Sequence, residues 1–270
     1  MRNKHPYSLL SLFGVSDEKK LNKSKFPRSR VKEANESSLL EQLCRRFSLN
    51  EILAATFNFD SNLVIGRDGS GTVYKGFMDD GNLVVAVKRL SSFLLSRKEV
   101  VEEFRNDVQL LCQLRHQHLV SLIGFCDEED ETILVYNYMT NGSLYDHLHG
   151  NNGYDPLSWK QRLEICIGAA WGLHYLHSGA KRAIIHRDIK TKNILLDDQL
   201  DSKLSDFGLS KIGPLSMSNA PIKIQLPRSH SSTITSFGGR VGYWDPELFL
   251  NATLVTDKSD VYSLAKWRQH

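Results

Sequence analysis

The sequence predicts an α+β fold made of two lobes, a strand-rich first lobe followed by a helix-rich second lobe. Strand-like runs separated by turns dominate the chain up to Tyr138, and a long segment with the hydrophobic period of a helix follows Gly142. The chain has no internal repeat, and strands and helices do not alternate along it as they would in a βαβ fold. Its 270 residues suffice for one large domain or two small ones.

The first lobe is predicted to begin near Phe47 with a helix start. Ser48 is a candidate N-cap, and Glu51 stands three residues later, which is the spacing of a capping box. The turn signal at 79–82 and the acidic stretch 127–131 each separate two apolar runs, as hairpin turns do. The predicted strand runs are residues 72–74, 83–87, 118–125 and 132–138.

One amphipathic helix is predicted in each lobe. In the first lobe Val101, Phe104, Val108 and Leu111 recur at intervals of three and four residues. In the second lobe a segment of about five turns carries a longer apolar stripe. That stripe consists of Leu163, Cys166, Ile167, Ala170, Leu173 and Leu176. Residues 212–239 are rich in Ser, Pro, Gly and Thr and are predicted to form a long loop.

Composition and charge favour a soluble globular protein. The hydrophobic content is 41%, the charged content is 24%, and the net charge of +3 is too small to argue for a nucleic-acid partner. Residues 1–46 are polar and basic and are predicted to be disordered, with peripheral contact to anionic lipid as the alternative. No apolar run approaches the roughly 20 residues that span a bilayer. A cytoplasmic location is therefore expected, with the plasma membrane as the alternative.

The four cysteines are predicted to be free thiols. Cys44, Cys112, Cys126 and Cys166 form no Cys-x-x-Cys pair, and no histidine near them has the spacing of a zinc site. Free thiols are the expected state in a reducing compartment.

A glycine-rich run is followed by a lysine at the end of an apolar strand. Residues 65–73 contain Gly66, Gly69 and Gly71, whose backbone N–H groups could approach a phosphate, although such a run is more often only a turn. Lys88 needs an anionic partner there, or else reaches the solvent from an edge strand. The functional interpretation of Lys88 is a phosphate contact held in place by a carboxylate from a helix.

The strongest signal is the run 185–193, which reads Ile-His-Arg-Asp-Ile-Lys-Thr-Lys-Asn. Asp188 could accept a hydroxyl proton, Lys190 could neutralise a transferred phosphoryl group, and Asn193 could offer an oxygen to a metal ion. Asp206 opens an Asp-Phe-Gly tripeptide thirteen residues after Asn193 and is a candidate magnesium ligand. Runs 243–247 and 259–263 complete a set whose fixed spacing makes chance occurrence rare.

In this order and spacing the motifs resemble those of the protein kinase family, and in particular those of plant receptor-like and receptor-like cytoplasmic kinases near the malectin-receptor group. The resemblance runs from about Phe47 to Ser263 and includes the stretches 46–52, 114–120, 134–139, 142–144 and 260–263. It implies a two-lobed protein kinase fold with a β-rich N-lobe, one main N-lobe helix and a helical C-lobe. The implied boundaries are 1–46 for a disordered segment, 47–136 for the N-lobe and 137–270 for the hinge and C-lobe.

The resemblance implies an activity, which is transfer of the ATP γ-phosphate to Ser or Thr hydroxyls of proteins. Asp188 is implied as the catalytic base, Lys190 as the Ser/Thr-type residue of the catalytic loop, and Lys88 as the phosphate contact paired with Asp107. The implied cofactors are ATP and Mg²⁺, with Mn²⁺ as an alternative cation. The metal is expected at Asn193 and Asp206, and ATP at Ile65, Gly66, Gly69, Gly71, Val73, Ala86, Lys88, the gatekeeper Tyr136, Asn137, Met139 and Leu195.

Regulation and partners are also implied by the resemblance. Arg187 beside Asp188 implies control by phosphorylation of the activation loop, because a phosphate dianion can pair with the guanidinium and order the loop. The candidate phosphorylation sites are Ser231, Ser232, Thr233 and Thr235. The implied partners are protein substrates and other kinases or receptors, without nucleic acid.

The sequence departs from the family pattern at four points. Asp68 replaces the middle glycine of the glycine-rich loop and should repel phosphates unless it points to solvent. Asp107 replaces a glutamate and is one methylene shorter. Arg240 replaces a Thr or Ser that helps to position the substrate. After Ser263 the expected long apolar helix is replaced by seven residues, so the C-lobe is expected to be incomplete.

Three functional hypotheses follow. The chain is an active Ser/Thr kinase, a catalytically impaired pseudokinase or truncated binding module, or a gene fragment that does not fold stably. If the C-lobe is incomplete, apolar surface around Leu163, Ile167 and Leu173 is expected to be exposed.

Overall fold

The computed structural model of the chain describes residues 44–91, 96–150, 154–213, 222–223 and 254–266. A six-stranded sheet with two helices packed against it forms the first lobe, and helices dominate the second lobe. The predicted two-lobed α+β fold is therefore confirmed. In the part of the chain that the structure describes, no helix has the length and apolar character needed to cross a membrane.

The first-lobe sheet has the strand order β1-β5-β6-β4-β3-β2, in which β1 pairs with β5 in parallel and every other pair is antiparallel. Its strands are β1 (Arg45–Arg46), β2 (Val64–Asp68), β3 (Gly71–Met78), β4 (Leu83–Leu90), β5 (Leu122–Cys126) and β6 (Ile133–Asn137). The helices of this lobe are α1 (Leu49–Ala55) and α2 (Arg97–Leu111).

The second lobe combines helices with short two-stranded sheets. Its helices are α3 (Leu144–His149), α4 (Trp159–His174) and α5 (Asp257–Lys266), and a π-helical turn, Tyr175–Gly179, extends α4. The short strands are β7 (Ile184–Ile185), β8 (Ile194–Leu196), β9 (Ser202–Leu204), β10 (Lys211–Ile212), β11 (Ile222–Lys223) and β12 (Leu254–Val255). They pair as β7 with β10, β8 with β9 and β11 with β12.

The predicted capping box at the start of the first lobe is present. Ser48 caps α1 and its side chain accepts a hydrogen bond from the Glu51 N–H, while the Glu51 carboxylate accepts one from the Ser48 N–H at 2.8 Å. These hydrogen bonds lower the pKa of Glu51. Phe47 just before the cap is buried, and its N–H donates to the Phe125 carbonyl of β5 at 2.8 Å.

The predicted strand at 118–125 begins later than expected, at Leu122. The Val120 N–H donates to the Leu204 carbonyl and the Leu204 N–H donates to the His118 carbonyl, both in about 3 Å contacts that lead into the second lobe. The backbone of 118–120 therefore serves β9 rather than the first-lobe sheet. An apolar run alone does not reveal which partner strand its backbone will use.

The cysteine prediction is wrong for two of the four residues. Cys44 and Cys112 form a disulfide across a sequence separation of 68, whereas Cys126 and Cys166 remain thiols. Cys44 directly precedes β1, which runs beside β5, and Cys112 directly follows α2. The pairing of β1 with β5 brings the two sulfurs together, and nothing in the local cysteine spacing signals that long-range contact.

Helix α2 buries most of the face that its periodicity predicts. Phe104, Val108 and Leu111 are buried, whereas Val101 is partly exposed and Val100 takes its place in the core. The same buried face carries Asp107, whose side chain is 1% exposed. A carboxylate in this position points to the site rather than to solvent.

The long helix predicted in the second lobe is present as α4, but the face it buries differs from the predicted apolar stripe. Leu163 and Ile167 are 45% and 48% exposed, as expected, whereas Leu173 is buried at 3% exposure, contrary to expectation. A Cβ on Gly172 would lie 2.6 Å from the His118 carbonyl oxygen, and one on Gly168 would lie 2.4 Å from the Ser202 hydroxyl. The contact face is therefore built on small residues that allow a close approach. It consists of Ile165, Gly168, Ala169, Gly172, Leu173 and Leu176.

Candidate active site

The loop between β7 and β8 gathers three of the predicted residues. Asp188 is 5% exposed, and the Lys190 ammonium donates to its Oδ2 at 2.9 Å. The Asn193 side-chain amide donates to the Asp188 backbone carbonyl at 2.9 Å and to its Oδ2 at 3.1 Å. The carboxylate of Asp188 is thus held in one orientation by a cation and an amide.

The backbone of this loop is held by helix α5. The Asp260 carboxylate is 1% exposed and accepts hydrogen bonds from the N–H groups of His186 and Arg187, each at 2.7 Å. It also lies 2.9 Å from Nε2 of His177. Arg187 has a φ of 73°, a left-handed conformation that a non-glycine residue adopts only at a cost of order 1–3 kcal/mol. The sequence reasoning assigned Asp260 no role, although a carboxylate in the first turn of a helix that also carries apolar residues is a usable signal.

Asp206 links this loop to the first-lobe sheet. Its Oδ1 lies 2.9 Å from the Lys88 ammonium on β4, and its Oδ2 accepts a weaker hydrogen bond from Asn193 at 3.4 Å. The Lys88 side chain is 9% exposed, so the ion pair is largely shielded from water. Asp206 also has a positive φ of 69°. The residues predicted to act on phosphate and metal are therefore brought together.

Electrostatics keep this pair charged. Burial acts to lower the pKa of Lys88, but the charges of Asp206, Asp68 and Asp107 outweigh burial and leave the pKa raised. Burial acts to raise the pKa of Asp206, but Lys88 and Lys190 outweigh it and hold the pKa well below its usual range. Lys88 is therefore an ammonium and Asp206 a carboxylate at neutral pH.

Asp107 does not take the position that the resemblance implied. The ion pair of Lys88 is made with Asp206, and the Asp107 Oδ1 instead accepts the Phe207 N–H at 3.1 Å. Burial, only partly offset by Lys88, raises the pKa of Asp107 to about 7. The phenol of Tyr136 hydrogen-bonds the same carboxylate, and burial raises the pKa of Tyr136. The Asp107 side chain therefore binds the backbone of Phe207 rather than the Lys88 ammonium. Its negative charge still acts to raise the pKa of Lys88.

The Asp-Phe-Gly segment is fixed to α2 by a residue that the sequence reasoning missed. The Asn106 amide donates to the carbonyl oxygens of Phe207 and Gly208 at 2.9 Å and of Ser210 at 2.8 Å. Phe207 is fully buried, with its ring centroid 4.8 Å from that of His186. The sequence signal that could have identified Asn106 is its position next to Asp107 on a predicted amphipathic helix.

The glycine-rich run forms the tight hairpin that joins β2 to β3. Asp68 pairs with Gly71 across the turn, and a Cβ on Gly71 would lie 2.2 Å from the Arg89 carbonyl oxygen. Asp68 is exposed to solvent, and the hairpin holds its carboxylate by hydrogen bonds. Its Oδ1 accepts hydrogen bonds from the Ser70 N–H, the Ser70 hydroxyl and the Gly71 N–H.

The residues predicted to contact ATP come from adjoining strands and the following segment. Gly66 pairs with Val73 across β2 and β3, and Ala86 pairs with Tyr136 across β4 and β6. Leu195 on β8 forms an isolated bridge with Ser143. Of the other predicted residues, Ile65 lies on β2, Gly69 in the hairpin turn, Asn137 at the end of β6 and Met139 just after it. Their contact with adenine stays a prediction.

Asn193 and Asp206 present oxygen atoms of the kind that would hold a magnesium ion. Asn193 donates through its amide nitrogen, which leaves the amide oxygen for a cation, and Asp206 is ionised beside it. Mg²⁺ typically takes one or two such protein oxygens and completes its octahedron with phosphate and water. Among the described residues no group of three or more His, Cys, Asp or Glu could hold a metal ion. A nucleotide would have to supply the remaining ligands.

Several predicted residues lie outside the described ranges. They are Arg240, the run 243–247 with Glu247, and the candidate phosphorylation sites Ser231, Ser232, Thr233 and Thr235.

Comparison with known proteins gives one family model and a group of plant relatives. The model of the protein tyrosine and serine/threonine kinase family matches residues 59–266. Receptor-like protein kinase THESEUS 1 of Arabidopsis thaliana is 49% identical over 261 residues, covering 97% of this chain and 28% of THESEUS 1. Receptor-like protein kinases FERONIA and ANXUR2 of the same plant are 52% and 51% identical over 227 residues, covering 84% of this chain and 24% of each relative. The chain thus spans about a quarter of the length of the curated relatives it matches.

Proposed function

Because the chain belongs to the protein tyrosine and serine/threonine kinase family, we propose that it is a catalytically active kinase that phosphorylates Ser and Thr residues of proteins. The observation that carries the proposal is the junction at Asn193, whose amide contacts both Asp188 and Asp206 while Asp206 also binds Lys88. This junction supports the proposal because it brings together the proposed base Asp188, the proposed metal ligands Asn193 and Asp206, and the proposed phosphate contact Lys88.

In the proposed mechanism Asp188 orients the substrate hydroxyl and accepts its proton. Lys190, 2.9 Å from that carboxylate, provides positive charge where negative charge develops. Lys88 holds the phosphate chain, and Asn193 and Asp206 hold the cation. When bound, Mg·ATP supplies the phosphoryl group and a divalent charge that stabilises it. Asp107 and Asn106 act indirectly, because they fix the backbone that follows Asp206.

Control by phosphorylation of the activation loop belongs to the same proposal. Lys211 on β10 lies near Arg187, and its pKa is lowered first by burial and then by that guanidinium. Because Lys211 and Arg187 repel each other, an anion that binds both is favoured. A phosphate dianion could bind both side chains. Phosphorylation at one of Ser231, Ser232, Thr233 or Thr235 would supply it.

The proposed setting is signalling at the cytoplasmic side of the plasma membrane, with protein substrates and other kinases or receptors as partners. Identity of about half to receptor-like kinases of Arabidopsis thaliana supports this setting. A weak net charge of +3 supports a protein substrate rather than nucleic acid.

A catalytically impaired binding module is the second candidate function. The observation that favours it is the Asp68 carboxylate, which holds hydrogen-bond donors of the glycine-rich hairpin. In this alternative the protein keeps the fold and docks to other kinases without transferring phosphate.

The experiment compares the purified chain with Asp188→Asn in two measurements. Thermal melting with and without Mg·ATP reports nucleotide binding, since a ligand of the native state raises the melting temperature. Transfer of labelled phosphate to myelin basic protein, followed by phosphoamino-acid analysis, reports activity and residue type. We expect a nucleotide-dependent shift in both proteins, and transfer to Ser and Thr only in the unmodified chain.

Other results would contradict parts of the proposal. Equal transfer by Asp188→Asn would remove Asp188 from its role. A nucleotide shift without any transfer would favour the binding module, and phosphotyrosine as the main product would overturn the Ser/Thr assignment.

A further inference from the structure

The glycine-rich hairpin contains its own anion. Oδ1 of Asp68 lies 2.8 Å from the Ser70 backbone nitrogen, 3.1 Å from the Gly71 backbone nitrogen and 2.6 Å from the Ser70 hydroxyl. One carboxylate oxygen thus accepts three hydrogen bonds from the two residues at the end of the turn. The hairpin itself is closed, because Asp68 and Gly71 are paired across it.

Backbone N–H groups of this kind are what a glycine-rich hairpin offers to a nucleotide. Successive N–H groups in a tight turn form a concave anion site, and in kinases the loop covers the phosphates. A carboxylate oxygen and a phosphate oxygen are both anionic acceptors with similar hydrogen-bond lengths. The Asp68 carboxylate therefore holds donors that a phosphate oxygen would use.

The charge of Asp68 also reaches the phosphate-binding lysine. Asp68 pairs with Gly71 on β3, and Val73 on the same strand pairs with Lys88 on β4, so Asp68 lies on the part of the sheet that carries the ammonium. A nucleotide brings further negative charge to the same ammonium. Two anions near one cation repel each other, although the exposed position of Asp68 leaves this repulsion partly screened by solvent.

We propose that Asp68 is an internal competitor of the nucleotide phosphates, which must displace its carboxylate from the Ser70 and Gly71 N–H groups in order to bind. Asp68 thereby determines the affinity for the phosphate chain without affecting recognition of the nucleoside. The inference rests on the proposed function, because the competition exists only if this hairpin covers a nucleotide.

The test uses three substitutions in the full chain. Asp68→Gly removes both the acceptor and the charge, whereas Asp68→Asn removes the charge and keeps an oxygen acceptor in the same place. Asp60→Asn is the matched control, because the Asp60 Oδ1 accepts the Asn62 N–H at 2.9 Å in a similar local cap away from the hairpin. Calorimetry gives the Kd of each protein for Mg·ATP, Mg·ADP and adenosine, and melting without ligand checks that each is folded.

We expect Asp68→Gly to lower the Kd for Mg·ATP and Mg·ADP about tenfold, which corresponds to about 1.4 kcal/mol. Asp68→Asn should give a smaller decrease, Asp60→Asn none, and the Kd for adenosine should be unchanged throughout. If Asp68→Gly hampers folding, Asp68→Asn alone decides the sign of the effect.

The remaining outcomes separate this inference from the proposed function. Nucleotide binding that appears only after Asp68→Gly would support the inference and favour the binding module as the native function. Equal Kd values for ATP in the unmodified chain and both Asp68 variants would overturn the inference and leave the proposed function standing. An equal gain for adenosine would also overturn it, because the effect would then come from hairpin conformation. Absence of binding in every protein would overturn both.

Discussion

The side-chain amide of Asn106 lies 2.9 Å from the carbonyl oxygen of Phe207. It also reaches the carbonyls of Gly208 and Ser210, so one side chain of α2 binds three carbonyl oxygens within the four residues that follow Asp206. Asp107, the next residue of α2, accepts a hydrogen bond from the Phe207 N–H. Two neighbouring side chains of α2 therefore bind the backbone of the Asp-Phe-Gly segment.

Replacement of Asn106 should impair both stability and transfer. We expect Asn106→Ala to lower the free energy of unfolding by about 1–2 kcal/mol, because buried carbonyls lose their donor. Asn106→Asp should be worse, since it places a carboxylate against three carbonyl oxygens. Urea denaturation and single-turnover transfer measure the two effects. Gln113→Ala is the control, because the side chain of Gln113, just after α2, donates to the Gln109 carbonyl at the end of α2 and not to the Asp-Phe-Gly segment. An equal loss in the control would contradict the assignment.

Asp260 should be the most sensitive residue of α5. In Asp260→Asn one oxygen becomes an NH₂ group that faces an N–H donor, either of His186 or of Arg187. We expect a loss of about 3 kcal/mol in the free energy of unfolding, as for other broken buried charge contacts. Chemical denaturation measures it. Asp257→Asn on the same helix, where the carboxylate is partly exposed beside Lys258, should change stability little.

Reduction of the Cys44–Cys112 disulfide should destabilise the first lobe. Opening a loop with a sequence separation of 68 restores entropy to the unfolded chain, for which the chain-entropy model gives about 4 kcal/mol. Melting temperatures with and without dithiothreitol measure the effect. A paired Cys126→Ser and Cys166→Ser variant should respond to reductant like the unmodified chain, whereas Cys44→Ser should not respond. A reductant effect that persists in Cys44→Ser would contradict the prediction.

Acidification should destabilise the fold through His186. Its ring is buried, Nδ1 accepts the Asp188 N–H and Nε2 donates to the Ser205 carbonyl. Burial lowers its pKa from the ordinary value of 6.5, although Asp260, Asp188 and Asp206 face it and act in the opposite direction. The unfolded chain therefore takes up the proton at higher pH than the folded protein. Stability is complete above about pH 6.5 and falls as the pH drops below it.

His186→Gln, which can still donate to the Ser205 carbonyl, should lose less stability between about pH 7.5 and about pH 5.5 than the unmodified chain. Urea denaturation at both pH values gives the difference. Exposed His149 provides the control, because His149→Gln should leave the pH dependence unchanged. Identical pH dependence in His186→Gln and the unmodified chain would exclude His186 as the responsible group.

Part of the fold follows from the sequence because it depends on local rules. The Ser48–Glu51 capping box and the hairpin of β3 and β4 are present because capping and turn residues act over a few positions. The contact face of α4 was missed because hydrophobicity ranks Leu163 and Ile167 above Gly168 and Gly172. Close packing against His118 makes the glycines, which lack a Cβ, the residues that fit.

The site shows a similar division. The proximity of Asp188, Asn193 and Asp206 could be predicted because a fixed spacing in the chain carries the motif. The partner of Lys88 could not be identified, because both Asp107 and Asp206 come close to Lys88 in the fold and the motif spacing does not specify which carboxylate pairs with it. The hydrogen bonds of Asp68 likewise depend on side-chain rotamer and hairpin register, which a motif does not specify.

Strand β1 has a consequence for solubility. It forms one end of the sheet order and covers the side of β5 that would otherwise present unpaired N–H and C=O groups. Gly124 makes this possible, because a Cβ there would lie 2.1 Å from the Arg45 carbonyl oxygen. Open, apolar edge strands are templates for intermolecular β-pairing, and two arginines on a very short edge strand discourage it. A chain shortened to begin at Phe47 would expose the edge of β5 and turn a protected sheet into one that is prone to self-association.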